Sequence, residues 1–418
     1  MKIVHLSNSN FPGAYSAAFK IHKICQESGH DSTFYCKYSS NNNNIDSSTF
    51  VQSSFLTLFN FLKLKMRTLL AFSLKSKSEK SKYSFYQFKE SFEGGINNEI
   101  VNKIDSAEVL FVHWVTNFVN FYDIKKIQDR TNCKVIFTLM DMAHLTGGCH
   151  YSNSCNNFKK NCNKCPALNY SSFLPEKQLN SKRQVSLSLN AEIISFSPQN
   201  YIDAKESKVF FKKIHKLSLP SNNDIFKTIS VFQNKDVKYF NILGSAFTLL
   251  NKRKGPDYFF KTLVLLDNLL DNKQIKLRVF HIDLDFESKH NFKNIIFEKF
   301  TFLSNQIKLS ELYNKMDLII FTSIADAAPQ MIAEALMCGT PVISFNVGNS
   351  KSIIENGIDG YVVKMFDVKS LSHKAYLSLF STPSNWASRN QRSKRAALIH
   401  SEIVFKKKFN LIINDLIC

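Results

Sequence analysis

The sequence predicts an α/β protein with two doubly wound, Rossmann-like domains. The chain of 418 residues is long enough for two or three domains, and it is 44% hydrophobic against 21% charged. Patterns typical of buried strands and of helices alternate along it. The alternation stops at a polar stretch near the middle and then begins again. A peptide hormone, a single small module and a wholly disordered chain are therefore excluded.

The first half opens with a strand–helix–strand pattern. Residues 3–6 are typical of a buried strand, residues 16–28 have helical spacing that ends at Gly29, and residues 33–36 return as a strand. This is one βαβ unit, and such units build parallel sheets. Three later apolar runs are rich in β-branched residues and predict further buried strands, at 109–113, 135–139 and 193–196.

The second half repeats this organisation after a linker at residues 218–226. Domains are predicted at 1–218 and 219–380, followed by a helical segment at 381–418. Strands are predicted at 239–243, 277–281, 318–321 and 342–345, and helices at 255–270, 308–315, 328–338, 366–380 and 386–413. Ligands of open α/β sheets bind beyond the carboxyl ends of the strands, so a site is expected in a cleft between the domains.

The charge balance favours polyanionic partners. There are 54 Lys and Arg residues against 34 Asp and Glu, a formal charge of +20. A nucleic-acid-binding protein is one alternative, but the sequence lacks basic motifs interleaved with aromatic residues and any known reading module. The first residues form a strand pattern without a signal sequence, and no stretch of about 18 residues is apolar and uncharged. A cytoplasmic location is therefore expected.

Residues 55–82 combine an apolar face with a basic edge. This pattern is typical of a helix that lies flat on an anionic membrane. It predicts a peripheral location on the inner face of the cytoplasmic membrane. The alternative is a core helix with a solvated basic flank.

Two acids, Asp326 and Glu334, stand eight positions apart across a predicted strand–loop–helix junction. A carboxylate early in the helix can accept hydrogen bonds from a vicinal diol such as a ribose, and one in the loop can accept them from sugar hydroxyls. The free N–H groups at the start of the helix suit a phosphate. The alternative is a capping acid followed by an ordinary helix acid.

The residues around these acids resemble a known motif. The stretch ADAAPQMIAEAL at 325–336, followed by CGTPVIS at 338–344, is similar to the Glu-x7-Glu region of family 4 retaining glycosyltransferases. It is closest to a branch with Asp in place of the first Glu. The resemblance implies that Glu334 holds the nucleotide ribose and that Asp326 faces the donor sugar. The backbone that follows Asp326 completes the implied donor site: Ala327, Ala328, Pro329 and Gln330.

A basic pair, Arg253 and Lys254, stands before a predicted helix and could hold a diphosphate. The alternative is a solvated basic loop. The pair resembles the family's Arg-Lys-Gly segment, which implies that both residues bind the diphosphate of the donor. Upstream, Gly244 matches a donor-binding glycine, whereas Ser245 replaces an Arg that many members carry. Gly13 lies in a loop similar to the family's Gly-Gly-Ala loop and is implied in donor binding; an ordinary turn is the alternative.

The stretch TLMDMAHLTGGCHYS at 138–152, with His113 upstream, resembles a subgroup that makes bacterial surface polysaccharides of the colanic acid and O-antigen type. The resemblance places His113, Asp141, His144 and His150 on the acceptor side. Met140 replaces a subgroup His that is expected near the reacting sugar. A catalytically weakened binding or scaffold protein is therefore the alternative function.

Four of the nine cysteines cluster with the spacing C-x5-C-x6-C-x2-C: Cys149, Cys155, Cys162 and Cys165. Four thiolates could bind a structural Zn²⁺ as a closed tetrathiolate, which would leave no open position for catalysis. Buried free thiols or one disulfide are the alternatives.

Taken over the whole chain, the resemblance implies a GT-B fold, in which two Rossmann-like domains face a cleft and the C-terminal helix packs back toward the N-terminal domain. It implies a retaining hexosyltransferase that moves a sugar from a nucleotide-sugar donor to a lipid-linked glycan in surface-polysaccharide or lipopolysaccharide biosynthesis. In this mechanism Lys254 and Arg253 stabilise the departing diphosphate, with Asp326 and Glu334 completing the catalytic set. No catalytic metal is expected.

Overall fold

The computed structural model describes residues 1–9, 14–38, 48–50, 87, 89–168, 173–229, 238–245, 249, 251–271, 273–286, 288–301, 303, 305–380 and 387–416. The chain divides into two compact units. The first contains Met1–Leu217 together with Asn410–Cys418, and the second contains Ser218–Phe409. Residues 381–409 therefore group with the second unit. Gly13 and the basic segment 55–82 lie outside the described residues.

The first unit is built on a seven-stranded parallel sheet with the order β3-β2-β1-β4-β5-β6-β7. Its strands are β1 (Lys2–Ser9), β2 (Asp31–Tyr38), β3 (Ser48–Phe50), β4 (Val109–Val112), β5 (Lys134–Leu139), β6 (Ala191–Ser195) and β7 (Ile214–Lys216). Its helices are α1 (Ala14–Glu27), α2 (Asn98–Lys103), α3 (Phe121–Thr131), α4 (Leu174–Ser186) and α5 (Pro198–Glu206).

The central strands of this sheet are apolar along their whole length. Every residue of β4 is buried, and β5 is buried except at its first residue. A strand in a parallel sheet reads as a continuous apolar run when both of its faces are covered. This explains why β4 and β5 could be predicted from composition.

Local sequence signals fix both ends of helix α3. Asn120 and Asp123 form a capping box at its start. Asn132 ends it in the left-handed conformation, with φ of 55°, which Asn tolerates better than most residues. The carboxylate of Asp123 also accepts the N–H of Ile96 at 2.9 Å, so the cap joins α3 to the loop before α2.

The second unit is built on a six-stranded parallel sheet with the order β10-β9-β8-β11-β12-β13. Its strands are β8 (Tyr239–Gly244), β9 (Lys276–His281), β10 (Ile295–Lys299), β11 (Leu318–Phe321), β12 (Val342–Phe345) and β13 (Gly360–Val363). Its helices are α6 (Pro256–Leu269), α7 (Gln306–Lys315), α8 (Gln330–Met337), α9 (Ser350–Ile353), α10 (Val368–Phe380) and α11 (Arg389–His400). Helix α12 (Glu402–Asp415) begins in this unit and ends in the first.

The predicted α/β class with two parallel sheets is confirmed. One long helix predicted at 386–413 is wrong, because the chain leaves helical geometry at Ser401, where ψ is 149°. The N–H of Ser221 donates to the carbonyl of His400 at 2.8 Å, and Ser221 and Ser401 form a bridge. This bridge takes backbone groups that a continuous helix would use. In the part of the chain that the structure describes, no helix is long and apolar enough to cross a membrane.

Candidate functional site

The sheet of the second unit reverses its strand order between β8 and β11. The chain runs from β8 outward to β9 and β10, then returns to place β11 on the other side of β8. The two strands are parallel neighbours, with Ile320 opposite Gly244 near their carboxyl ends. Ligands of open α/β sheets bind at such a reversal. The loops that follow these two strands contain Arg253, Lys254 and Asp326.

Hydrogen bonds hold the two loops together. The buried hydroxyl of Ser245 accepts the N–H of Thr322 at 2.9 Å and lies 3.2 Å from the carbonyl of Lys254, to which it donates. The hydroxyl of Thr322 donates to the same carbonyl at 3.2 Å. The N–H of Ile324 donates to the carbonyl of Arg253 at 2.9 Å. The backbone of the basic pair is therefore fastened to the loop that carries the acid.

A glycine makes this close approach possible. Gly255 ends the short 3-10 helix Lys252–Lys254 and precedes α6, with φ of 72°. A Cβ atom at this position would lie 2.0 Å from the carbonyl oxygen of Thr322. Any side chain here would push the basic pair away from the neighbouring loop, and the positive φ adds strain for an L-residue.

Arg253, Lys254 and Asp326 form one ion cluster. Lys254 Nζ lies 2.8 Å from Asp326 Oδ2, and Arg253 Nη1 lies 3.4 Å from the same oxygen. Arg253 Nη1 also donates to the carbonyl of Ala325 at 2.6 Å. Burial raises the pKa of Asp326, but the charges and hydrogen bonds of Lys254 and Arg253 outweigh it, so the pKa is lowered overall.

The ion cluster contains two cationic side chains and one carboxylate. Asp326 is ionised at neutral pH, so two cations face one carboxylate. The cationic side chains remain about one third exposed, 28% for Lys254 and 33% for Arg253, against 14% for Asp326. An anion with two or more charges can therefore reach the cations and compete with the carboxylate.

The loop after Asp326 leads directly into α8. Ala327, Ala328 and Pro329 are buried in it. Gly348 packs against this loop, since a Cβ atom there would lie 2.6 Å from the carbonyl oxygen of Asp326. Two loops, those after β11 and β12, are thus in backbone contact at this edge of the sheet.

The first turn of helix α8 has no side-chain cap among the described residues, and Pro329 occupies the cap position. Uncapped N–H groups at the positive end of the helix dipole favour an anion. The side-chain N–H of Gln330 donates to the carbonyl of Pro220 at 2.9 Å, and the predicted donor-binding role of Gln330 stays a prediction.

Glu334 lies in the middle of α8 and is 7% exposed. The phenol of Tyr313, on α7, donates a hydrogen bond to its carboxylate. Burial first, and then the charge of Glu334, raise the pKa of Tyr313 well above its ordinary value. An ionised carboxylate has about four acceptor positions. A carboxylate can thus accept more than one hydrogen bond, and the ribose role of Glu334 stays a prediction. Sequence reasoning did not identify Tyr313.

Gly244, predicted to bind donor, has a packing role in this structure, and its donor role stays a prediction. A Cβ atom on Gly244 would lie 2.5 Å from a ring carbon of Phe259, so this glycine lets β8 approach α6 closely. Ser245, which stands where many family members have Arg, fastens the loops instead. Gly13 is not among the described residues, and its role stays a prediction.

His113, predicted on the acceptor side, lies in the core of the first unit. It follows β4 directly and is completely buried. Its Nε2 lies 3.0 Å from Nδ1 of His5, and its Nδ1 lies 2.8 Å from the hydroxyl of Thr138. Burial lowers its pKa to about 3, so the ring is neutral. These contacts fix the His113 ring in the core of the first unit. Its acceptor-side role stays a prediction.

Asp141 and His150 form a buried pair. Asp141 Oδ2 lies 2.9 Å from Nδ1 of His150, and Asp141 Oδ1 accepts the N–H of Ala143 at 2.7 Å. Burial raises the pKa of Asp141, but these partners outweigh it and lower the pKa overall. The His150 ring also lies 3.2 Å from the hydroxyl of Thr116, and His144 donates to the backbone. The structure thus brings Asp141 and His150 together, while the acceptor role of all three residues stays a prediction.

Met140 packs against a small apolar cluster of Ala18, Phe34 and Cys36. A flexible apolar side chain suits this environment. The substitution of the subgroup His by Met140 therefore removes a polar group from the loop after β5 without leaving a packing defect.

The four clustered cysteines line one cavity, and all four are reduced. Burial and then the charges of the other three cysteines raise the pKa of Cys149, so the four sulfurs are near neighbours. As the side chains stand, no three His, Cys, Asp or Glu residues in the described part of the chain are placed to hold a metal ion.

Comparison with known proteins provides independent findings. Residues 227–396 match the family model of glycosyl transferases group 1. The chain is 25% identical over 266 residues to WcaC of Escherichia coli (strain K12). That protein is described as a colanic acid biosynthesis glycosyl transferase. That match covers 59% of this chain and spans 60% of the relative's length.

Two solved structures have a similar fold. Sucrose-phosphate synthase from Thermosynechococcus elongatus superposes with a TM-score of 0.66 at 12% identity, over 100% of this chain and 99% of that one. Anabaena Alr3699/HepE in complex with UDP and glucose superposes with a TM-score of 0.65 at 12% identity, over 99% and 100%. At such low identity these likenesses show the fold alone, which is the GT-B fold that the sequence implied.

Proposed function

We propose that the protein transfers a sugar from a nucleotide-sugar donor to a glycan, because residues 227–396 match the family model of glycosyl transferases group 1. The proposal takes the donor site to be the edge of the second sheet beyond β8 and β11. It further takes the product to be a bacterial surface polysaccharide, which the WcaC match supports. The UDP and glucose bound by the HepE protein support a nucleotide sugar as the donor class.

The observation that carries this proposal is the ion cluster of Arg253, Lys254 and Asp326. When a nucleoside diphosphate leaves a sugar, negative charge develops on its phosphate oxygens. Lys254 and Arg253 would stabilise that charge, and both are already in place before the donor binds. The uncapped start of α8 would add its N–H groups.

Asp326 has a defined part in this proposal. In the absence of donor its carboxylate neutralises Lys254 and Arg253 and holds their side chains at the site. When the diphosphate takes over these cations, Asp326 can accept hydrogen bonds from the donor sugar. Glu334, held by Tyr313, would accept them from the ribose.

We further propose that transfer retains the anomeric configuration. The acceptor hydroxyl would attack the anomeric carbon on the face from which the diphosphate leaves and would pass its proton to a phosphate oxygen of that leaving group, so no protein nucleophile is needed. The acceptor is proposed to be lipid-linked and the enzyme to work at the cytoplasmic face of the membrane. The sequence pattern of residues 55–82 supports these last two points.

The test is a thermal-shift screen of nucleotide sugars followed by a transfer assay with lipid-linked glycans as acceptors. We expect one donor class to raise the melting temperature and to be consumed when acceptor is present. Glu334→Ala should lose donor binding, while circular dichroism shows an intact fold. Unchanged calorimetric affinity in this variant would refute the ribose assignment. Donor binding without transfer would favour the alternative function, a catalytically weakened binding or scaffold protein, which the replacement of the subgroup His by Met140 suggests.

A further inference from the structure

The loop that carries the four clustered cysteines is tightly turned around them. Cys162 and Lys164 have positive φ angles of 56° and 47°, so the segment 162–165 curls back on itself. All four cysteines line the same cavity. Such conformations are strained for residues other than glycine and persist only where the surroundings impose them.

Backbone N–H groups point at two of the sulfurs. The N–H groups of Ala167 and Leu168 donate to the sulfur of Cys165. The N–H of Gly147 donates to the sulfur of Cys162. Backbone N–H groups thus face both sulfurs, although burial, the larger effect, raises the pKa of both thiols overall.

A buried cation lies beside the cluster. Lys182 is 1% exposed, and its Nζ donates to the carbonyl groups of Ala143 at 2.6 Å and Thr146 at 2.9 Å and to the side chain of Gln87 at 2.7 Å. All three of these partners are neutral oxygens. A buried ammonium is costly unless negative charge lies nearby. Burial lowers the pKa of Lys182, and the largest charge that favours its protonated form is the buried carboxylate of Glu90, followed by Cys162, Cys149 and Asp141.

From these observations we propose that Cys149, Cys155, Cys162 and Cys165 bind one Zn²⁺ as a closed tetrathiolate site. Such a site carries a net charge of −2, because four thiolates surround one divalent ion. Binding releases the thiol protons to solvent and forms four Zn–S bonds. The metal would stabilise the loop after β5 and would take no part in sugar transfer, since four protein ligands leave no open position.

The side-chain positions described above do not yet form a metal-holding group. In a tetrahedral site with Zn–S bonds of about 2.3 Å, the sulfurs lie roughly 3.8 Å apart. Protonated thiols have no attraction that would bring them so close. The proposal therefore requires the four side chains to rotate into their shared cavity when the metal binds, while the backbone N–H groups keep their direction.

The test measures bound metal and not transferase activity. Protein expressed with zinc in the medium should contain about one Zn²⁺ per chain by plasma mass spectrometry. Cys165→Ala should lower the zinc content by at least about tenfold. Cys25→Ala removes another buried cysteine of the same unit, on α1, and should leave the zinc content unchanged. Equal zinc loss in both variants would overturn the proposal.

A second measurement on the wild-type chain guards against misfolding of Cys165→Ala. After removal of zinc by a chelator under reducing conditions, Co²⁺ is titrated into the protein. Four thiolate ligands should give intense thiolate-to-cobalt charge-transfer absorption that saturates at about one Co²⁺ per chain. Wild-type protein without zinc and without this absorption would refute the site, whatever the outcome of the transfer assay.

Discussion

Lys254 provides the sharpest test of the donor site, through the substitution Lys254→Ala. Its ammonium group lies 2.8 Å from Asp326 and is 28% exposed, so an anionic ligand can reach it. A hydrogen bond between charged groups contributes about 1.5–3 kcal/mol. With about 1.4 kcal/mol for each factor of ten, Lys254→Ala should weaken binding of a nucleoside diphosphate by roughly 10- to 140-fold.

The same substitution should cost little stability. The ion pair of Lys254 and Asp326 is partly exposed, and such pairs contribute about 0–1 kcal/mol to folding. Urea unfolding should therefore show a loss of no more than about 1 kcal/mol. The combination of a large loss in affinity with a small loss in stability separates a ligand-binding role from a structural one.

Lys252 offers a matched control in the same short helix. It is exposed and lies two residues before Lys254. Isothermal titration calorimetry with UDP, GDP, ADP and dTDP would identify the nucleoside diphosphate that the wild type binds best, and both variants would be titrated with it. Lys252→Ala should change the affinity less than twofold. If the two variants lose affinity equally, or if Lys254→Ala binds as the wild type does, the assignment is refuted.

Three further outcomes are expected. Gly255→Ala should destabilise the second unit by at least about 1–2 kcal/mol in urea unfolding, because the added Cβ would lie 2.0 Å from the oxygen of Thr322 at φ of 72°; wild-type stability would show that the loops do not approach so closely. The pKa values of His113 and His144 are lowered to about 3 and about 4, chiefly by burial, and lie below the unfolded value near 6.5. Only the unfolded chain takes up these protons as the pH falls below that value, so the free energy of unfolding should drop by about 2 kcal/mol for each such histidine between pH 7 and pH 5, and equal stability at both would contradict neutral burial. Deletion of residues 55–82 should reduce co-sedimentation with anionic liposomes severalfold, and equal sedimentation would exclude a membrane role for them.

The buried strands were predictable because their signal is local. β4, β5, β11 and β12 are runs of apolar residues with both faces covered, and composition alone indicates that. Edge strands lack this signal: β10 is largely exposed, and the sequence analysis did not find it. The break at Ser401 was also missed, because it depends on a partner, Ser221, that is distant in sequence.

The candidate site was only partly predictable. The resemblance identified Arg253, Lys254, Asp326 and Glu334 as a set, but it did not predict that Asp326 pairs with both cations. Nor did it indicate that Tyr313 holds the buried carboxylate of Glu334. These relations join residues that are far apart along the chain.

For His113 the surroundings came from the structure, while its acceptor-side role stays a prediction of the resemblance. The motif placed it near an acceptor, whereas its burial and its two ring partners place it in the core. Likewise, nothing in the sequence singled out Lys182, whose ammonium group lies in the interior beside the cysteines.

By itself, the sequence determined the alternation of strands and helices, the two-sheet α/β class and the identity of the chemically capable residues. The alternation and the class follow from periodicity and residue type, which are properties of neighbouring positions, whereas the capable residues were identified through the resemblance of their motifs to a known family. Only the tertiary structure decided which charges neutralise one another and which polar groups lie inside the protein. The energy of a charge depends on the distance to its partners and on the surrounding solvent, and both are set by contacts between remote segments.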